Sequence, residues 1–175
     1  MQYTKQWVVK RMGLMANDLG VLMEDVKLKD EAFKSYSKAR EIDPGNISAI
    51  MNQLVMVENG YPGGSPAAIE ADLKRAMAAS QSRYSIWALS QEYGYVRLPQ
   101  AFARLGWMWA RAGQPGLAVS GLKRAMGLLP EEKSSMIKQT LAAIHLFQDE
   151  NEESEALYNE LLMENPENVA ALVGL

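Results

Sequence analysis

The chain has 175 residues, of which 48% are hydrophobic and 22% charged, and its formal net charge is −3. This length suits one ordinary domain or an array of about four or five helix pairs, and the apolar share is sufficient for a packed core. The absence of cysteine excludes a disulfide framework, a thiolate metal site and a cysteine nucleophile.

No segment of the sequence has the pattern of a signal peptide or of a membrane span. The first residues, MQYTKQWVVKR, lack the apolar core of a signal peptide. The longest apolar run, GNISAIMNQLVMV, is too short to cross a bilayer and contains Asn and Gln. We therefore expect a soluble protein without membrane insertion, cytoplasmic by default. The cysteine-free composition leaves the periplasm open as well.

Charge is distributed unevenly along the chain. Eight carboxylates and neither Lys nor Arg follow Lys138, so the part of the chain up to Lys138 carries a net charge of +5. Such polarity can steer a basic partner to the C-terminal end. The structural alternative is a solvated helix start, because carboxylates favour helix N-termini.

The spacing of small and apolar residues around 99–132 predicts two consecutive helices. Gly106 lies on the packed face of the first helix, and Ala118, Leu122 and Ala125 share a face of the second, which ends before Pro130. We expect Gly106 to meet Ala118 where the two helices cross. Small side chains at that position allow close helix contact.

The same spacing recurs in two other segments. The interval from Gly106 to Pro130 equals the interval from Gly20 to Pro44 and the interval from Ala142 to Pro166. Residues twelve, eight and five positions before each proline follow one pattern: Ala32, Tyr36 and Ala39; Ala118, Leu122 and Ala125; Ser154, Tyr158 and Leu161. A recurrence across distant segments indicates an internal repeat.

A further, divergent copy begins after Asn46, which we expect to cap a helix. Its second helix contains the pentapeptide LKRAM at 73–77, which occurs again at 122–126. The two copies are farther apart than one repeat length, and the surplus falls at about 82–98. This insertion contains four aromatic residues, Tyr84, Trp87, Tyr93 and Tyr95. It is interpreted either as a functional loop or as a plug that buries its aromatics over a gap in the divergent repeat.

This pattern resembles the tetratricopeptide repeat (TPR), a helix–turn–helix unit of about 34 residues. The resemblance implies an all-α solenoid of antiparallel helix pairs in a right-handed superhelix, in one domain spanning 1–175. We place repeats at about 13–46, 47–81, 99–132 and 135–168, followed by a partial helix at 169–175. Because the pattern stops midway through a repeat, we expect a fragment of a longer array.

The resemblance implies a non-catalytic scaffold that binds a peptide or a partner domain in a concave groove lined by the first helix of each pair. Helical rotation identifies the residues opposite the packed faces. They are Asn17, Val21, Met51, Asn52, Val55, Ala103, Arg104, Trp107, Arg111, Gln139, Thr140 and Ala143. Trp107 between two arginines is typical of an interface anchor. The alternative is that Trp107 packs against the insertion.

No combination of residues indicates catalysis, a cofactor or a metal site. His145 is the only histidine, and no nucleophile or second titratable partner is placed around it, so we expect a packed, hydrogen-bonded side chain. Asp149, Asn151, Glu153 and Glu160 match part of a calcium-loop pattern. Ser154 stands where that loop needs glycine, which disfavours calcium binding.

Two functions therefore compete: a protein- or peptide-binding module, and a structural spacer that associates with further repeats or with another copy through its chain ends. RNA binding would draw on Arg97, Arg104 and Arg111 among the aromatics. The acidic pI of 5.3 argues against a nucleic acid partner.

Overall fold

The computed structural model describes residues 2–80 and 85–175, which form ten α-helices and no β-strand. The helices are α1 (Gln2–Asp25), α2 (Lys29–Ile42), α3 (Ile47–Glu58), α4 (Pro66–Ala79), α5 (Ile86–Glu92), α6 (Pro99–Arg111), α7 (Pro115–Gly127), α8 (Ser135–Phe147), α9 (Asn151–Glu164) and α10 (Val169–Gly174), with a 3-10 turn at Glu131–Lys133. The all-α expectation is confirmed. The chain divides into two compact units, Met1–Arg97 and Leu98–Leu175, where the sequence pattern predicts a single domain.

In the first unit, α1 packs along α2, α2 along α3, and α3 along α4. A Cβ added to Gly20 would lie 2.5 Å from the Tyr36 ring, while one added to Gly13 would lie 3.0 Å from Asp43. Later residues of α1 therefore contact earlier residues of the following chain, so α1 and α2 are antiparallel. Gly20 allows α1 to approach the buried ring of Tyr36, as the repeat spacing predicts.

The helices α3 and α4 form a packed pair. Asn46 caps α3, because its side-chain oxygen accepts a hydrogen bond from the amide of Ala49 at 2.9 Å. Ile50, Val57 and Ile69 form the buried cluster between the two helices. This pair therefore has its own apolar core despite its irregular connection.

In the second unit, α6 packs on α7, α8 on α9, and α10 on both α8 and α9. A Cβ added to Gly106 would lie 2.7 Å from the Leu122 side chain, and one added to Gly121 would lie 3.2 Å from the Gly106 backbone. Gly106 therefore meets Leu122 and Gly121 at the crossing rather than Ala118. The difference is about one helical turn along α7. Ala118 is nonetheless fully buried.

The pair formed by α8 and α9 repeats this architecture with different residues. Ala142 forms a buried cluster with Tyr158, Leu161 and Ala171, and the Ser154 hydroxyl donates to the Ala142 carbonyl at 2.9 Å. All three residues predicted on the α9 face are buried. The repeat spacing therefore identifies the packed faces in this unit too.

Candidate functional site

Three of the predicted groove residues in the first unit are buried. Asn17 and Asn52 are 0% and 2% exposed and Val21 is 1% exposed, while Met51 and Val55 are half-buried. Asn17 lies only about 40–60° around α1 from Gly13 and Gly20, which face α2, whereas Asn52 lies on the side of α3 away from Ile50 and Val57. Neither asparagine is on an open surface, because a segment of the same chain lies on both.

This segment is the extended stretch that follows α5, residues 94–98. The side-chain amides of Asn17 and Asn52 both donate to the Tyr95 carbonyl oxygen at 2.9 Å. The Asn52 side-chain oxygen in turn accepts a hydrogen bond from the Arg97 amide at 2.7 Å. Two buried asparagines thus bind the backbone of an extended segment that runs from α1 to α3. We call these two residues and the segment the asparagine clasp.

Gly94 brings the backbone close to α1. The Tyr95 amide donates to the Asp18 carboxylate at 2.7 Å, and Gly94 has a φ of +89°. A Cβ added to Gly94 would lie 2.7 Å from the Asn17 side-chain nitrogen and closer still to the Asp18 carboxylate. Both the conformation and the contact therefore require glycine here.

Ion pairs of Arg97 hold the C-terminal part of the segment. The Arg97 guanidinium donates to Glu24 at 2.8 Å and to Asp25 at 3.0 Å, with little of the Arg97 side chain exposed. Glu24 also accepts a hydrogen bond from the Tyr36 hydroxyl at 3.1 Å. Burial, together with the Glu24 carboxylate, raises the pKa of the Tyr36 hydroxyl well above its ordinary value. The segment is therefore connected to the core of the first helix pair.

The aromatic residues of the insertion differ in how deeply they are buried. Tyr93 is buried, Tyr95 is half-buried and contributes its backbone to the clasp, and Trp87 is 39% exposed on α5. Tyr84 lies outside the described residues. The contacts of residues 95 and 97 with α1 and α3 explain why Asn17 and Asn52, which helical rotation identifies as groove residues, are buried.

In the second unit, the predicted groove residues of α6 form one stripe. Arg104, Trp107 and Arg111 are spaced by three and four residues and therefore share a face. Both arginines are exposed, whereas Trp107 is half-buried and its indole N–H donates to the Thr140 hydroxyl at 3.3 Å. Gln100, one turn earlier, extends the stripe and was not predicted from the sequence.

The remaining predicted residues surround this stripe unevenly. Ala103 is buried, Ala143 is exposed, and the Gln139 amide is 3.4 Å from the Asn168 side-chain oxygen. Within the described residues, neither Arg104 nor Arg111 has an ion-pair partner. We call Arg104, Trp107 and Arg111 the α6 face. It combines two uncompensated cations with an aromatic ring whose indole N–H is already engaged.

A cleft of about 740 Å³ opens between α2 and α4 and was not predicted from the sequence. Arg40 and Arg75 line it, but both pair with the Asp72 carboxylate. The hydrogen bond from Arg75, with Arg40 nearby, lowers the pKa of Asp72 below its ordinary value. Because both guanidinium groups are engaged by Asp72 and the Glu41 carboxylate also lines the cleft, it offers less to a charged ligand than the α6 face does.

The titratable groups elsewhere in the second unit form structural pairs. His145 is buried, and its Nδ1 lies 2.5 Å from a Glu150 carboxylate oxygen. The Lys138 ammonium, also buried, contacts Glu164 at 2.6 Å and Glu160 at 2.9 Å. The hydrogen bond to Glu164 raises the pKa of Lys138 above its ordinary value. These contacts hold α8 to α9.

Residues 2–80 and 85–175 contain neither a cluster of metal ligands nor a membrane-spanning helix. No group of three or more His, Asp or Glu side chains there is arranged to hold a metal ion. In the same residues, no helix combines the length and apolar character needed to cross a membrane. Glu160, part of the calcium-loop pattern in the sequence, pairs with Lys138 instead.

The chain is similar to solved helical-repeat proteins at low identity. Two crystal structures of MamA match it with 16% and 15% identity and TM-scores of 0.42 and 0.45, covering 93% and 89% of this chain and 78% and 80% of theirs. A thermophilic TPR protein of Thermus thermophilus matches with 17% identity and a TM-score of 0.41, covering 92% of this chain and 95% of that one. No protein-family model and no curated protein sequence matches significantly. The described residues themselves show antiparallel helix pairs at a recurring spacing.

Proposed function

We propose that this chain is a non-catalytic protein-binding module that holds an extended, acidic segment of a partner protein on the α6 face. The proposal is carried by the two exposed arginines of the α6 face, Arg104 and Arg111, and the asparagine clasp supplies a precedent for binding an extended segment. There, the first helices of two successive pairs bind an extended backbone. The α6 face belongs to the first helix of the next pair along the chain, and its two arginines have no carboxylate partner among the described residues.

Recognition on α6 differs from recognition in the clasp. Ala103 stands as far before Pro130 as Asn17 stands before Pro44, so α6 lacks the amide that binds a backbone carbonyl in the first unit. Its chemistry lies in side chains instead. A guanidinium binds a carboxylate through paired, charge-assisted hydrogen bonds, and an aromatic ring between two such groups supplies apolar contact. The partner segment is therefore defined mainly by its acidic residues.

The distance between Arg104 and Arg111 determines how far apart two carboxylates of a bound partner segment must be. Arg104 and Arg111 are seven residues apart, which is a rise of about 10.5 Å along a helix. An extended segment in the polyproline II conformation advances about 3.1 Å per residue and has three residues per turn. Two carboxylates three positions apart in such a segment therefore lie on one face, about 9 Å apart, and meet both arginines when the segment runs along α6. Closer spacing leaves one arginine without a carboxylate.

This proposal is tested with short synthetic peptides that carry two Glu residues one, three or five positions apart. We expect the three-residue spacing to bind best to the native chain. We expect the double variant Arg104→Gln/Arg111→Gln to weaken that binding roughly a hundredfold or more, since two lost charge-assisted hydrogen bonds contribute about 1.5–3 kcal/mol each. Nuclear magnetic resonance titration reports affinity and location together.

The matched control is Lys123→Gln/Lys133→Gln, which removes the same charge from exposed positions of the same unit. It should leave binding of the three-residue spacing nearly unchanged. Equal binding of all three peptides, or equal losses in both double variants, would show that only net charge is sensed. Either result would refute the α6 proposal.

A structural spacer remains the second candidate function. It is favoured by apolar side chains that are exposed near both ends of the chain, on α1 and on α10. A nucleic acid is not the proposed partner, because eight carboxylates without a single Lys or Arg follow Lys138 in the sequence.

A further inference from the structure

A second row of exposed side chains lies on α8, next to the α6 face. Met136, Ala143 and Phe147 are spaced by seven and four residues, so they project from one side of the helix. Met136 is 66% exposed and Phe147 84% exposed, and Ala143 is exposed as well. We call these three residues the α8 row. It lies on the far side of α8 from Leu141 and Ala142, which are fully buried.

One hydrogen bond holds the α8 row beside the α6 face. Trp107 of the α6 face donates its indole N–H to the hydroxyl of Thr140, which lies on the same side of α8 as the row, at 3.3 Å. The Thr140 hydroxyl in turn donates to the Met136 carbonyl at 2.9 Å. Because this hydroxyl both accepts and donates, its orientation is fixed. The two helices belong to the same compact unit, so the cationic face and the apolar row form one surface.

Counting along each helix from this contact places an apolar side chain at the level of each arginine. At a rise of 1.5 Å per residue, Arg104 and Arg111 lie about 4.5 Å and 6 Å to either side of the tryptophan. Ala143 and Met136 lie about 4.5 Å and 6 Å to either side of the threonine. The two sets of distances match to within about 1.5 Å whichever way α8 runs relative to α6.

No carboxylate on either helix competes for this surface. Neither α6 nor α8 contains Asp or Glu, so the negative charge of the C-terminal part of the chain lies elsewhere. The α6 face therefore keeps its positive charge, and the α8 row keeps its exposed hydrocarbon. A segment that binds here meets cations on one side and apolar side chains on the other.

We infer that the partner segment is amphipathic, with an apolar side chain beside each of its two carboxylates, and that the α8 row binds these apolar side chains. This inference rests on the proposed function of the α6 face. A segment in the polyproline II conformation has three residues per turn, so neighbouring side chains point about 120° apart. When the two carboxylates face α6, one set of neighbouring side chains faces α8. Apolar groups in that set are removed from water against Met136 and Phe147.

Three peptides test this inference by nuclear magnetic resonance titration. The reference peptide repeats Glu-Ser-Ser twice and carries only the acid pair, while the other two repeat Glu-Leu-Ser and Glu-Ser-Leu. We expect one of the two leucine peptides to bind the native chain roughly tenfold or more tightly than the reference peptide, because its leucines leave water on the α8 row. The position of leucine in the tighter peptide reports the direction of the bound segment.

The double variant Met136→Gln/Phe147→Gln should remove the advantage of the leucine peptide and still bind the reference peptide, with unchanged helical circular dichroism. The matched control is Met163→Gln/Val173→Gln, at side chains that are 78% and 81% exposed in the same unit but outside the row. This control should keep the advantage. The inference is overturned if neither leucine peptide binds more tightly than the reference, or if the advantage survives in the α8 variant or is lost equally in the control.

Analytical ultracentrifugation tests a second copy of the chain as the alternative occupant of the row. The native chain and the Met136→Gln/Phe147→Gln variant should have the same oligomeric state. A native dimer that dissociates in this variant would show that another copy covers the row, which would overturn the inference. Failure of the proposed function has a different signature, because the reference peptide would then bind the Arg104→Gln/Arg111→Gln variant as well as the native chain.

Discussion

Asn17 and Asn52, on α1 and α3, donate to one and the same acceptor, the carbonyl oxygen of Tyr95. They also bond to each other, because the Asn52 amide donates to the Asn17 side-chain oxygen at 3.0 Å. Polar groups this deeply buried are stable only when they are satisfied. The extended segment is therefore part of the structure that joins the first two helix pairs.

Replacing Asn52 with alanine should destabilise the first unit. The change removes two donated hydrogen bonds and leaves the Arg97 amide without its acceptor, at a cost of about 2–3 kcal/mol. Hydrogen exchange at the Arg97 amide should accelerate more than tenfold. Asn59→Ala, at an exposed position just after the same helix, is the control and should change the unfolding free energy by less than about 0.5 kcal/mol.

Gly94→Ala should be more damaging than Gly113→Ala, although both glycines have positive φ, +89° and +70°. At Gly113 an added Cβ meets nothing within 4 Å, so only the backbone conformation is strained, at about 1–2 kcal/mol. At Gly94 the same strain is joined by overlap with Asn17 and Asp18. Urea unfolding of both variants measures the difference. Equal losses would mean that the segment moves away from α1 without cost.

Gly106→Ala and Gly116→Ala should change stability in opposite directions. A Cβ at Gly106 would contact the Leu122 side chain and, at 3.1 Å, its backbone nitrogen, so the two helices must separate at a cost of about 1–3 kcal/mol. A Cβ at Gly116, inside α7, meets nothing within 4 Å and should stabilise the helix by about 0.5–1 kcal/mol. Thermal unfolding distinguishes the two. Destabilisation by both changes would refute the assigned crossing.

Tyr36 should make the folded chain sensitive to alkali. Its pKa is raised on folding, so the folded state keeps a proton that the unfolded state releases above about pH 10. The stability linked to this group is therefore complete below that pH and is lost as the pH rises further, by about 1.4 kcal/mol per pH unit.

The matched comparison for this effect is Tyr36→Phe, which keeps the ring beside Gly20 but has no proton to release. Its unfolding free energy should fall less steeply above pH 10 than that of the native chain. The difference in slope isolates Tyr36 because Lys138, whose pKa is also raised, is present in both proteins. Identical slopes would show that Tyr36 ionises equally in the folded and unfolded states.

Repeat spacing in the sequence identifies the packed residues of the fold well. Tyr36, Leu122 and Leu161, at fixed distances before a proline, are all fully buried. This works because a helix crossing needs a small residue on one side and an apolar residue on the other, at an interval set by two helix lengths and one turn. The spacing places the contact partner of Gly106 one turn from its observed position, since several small residues of α7 satisfy the same pattern.

The asparagine clasp cannot be predicted from repeat spacing. Tyr95 binds through its backbone carbonyl, which is identical in every residue, so its sequence carries no signal for that contact. The sequence holds a partial clue, because Asn17 and Asn52 are polar residues on faces next to an insertion of irregular length.

The clasp has a consequence for competition. Because residues 94–97 are tethered to the surface that holds them, their effective concentration there is on the order of millimolar, as for other short intramolecular links. An external peptide with ordinary micromolar affinity must outcompete this built-in occupant before it can reach Asn17 and Asn52. The binding surface of the first helix pairs is therefore already occupied, and selectivity toward other proteins is left to surfaces that the described part of the chain does not cover.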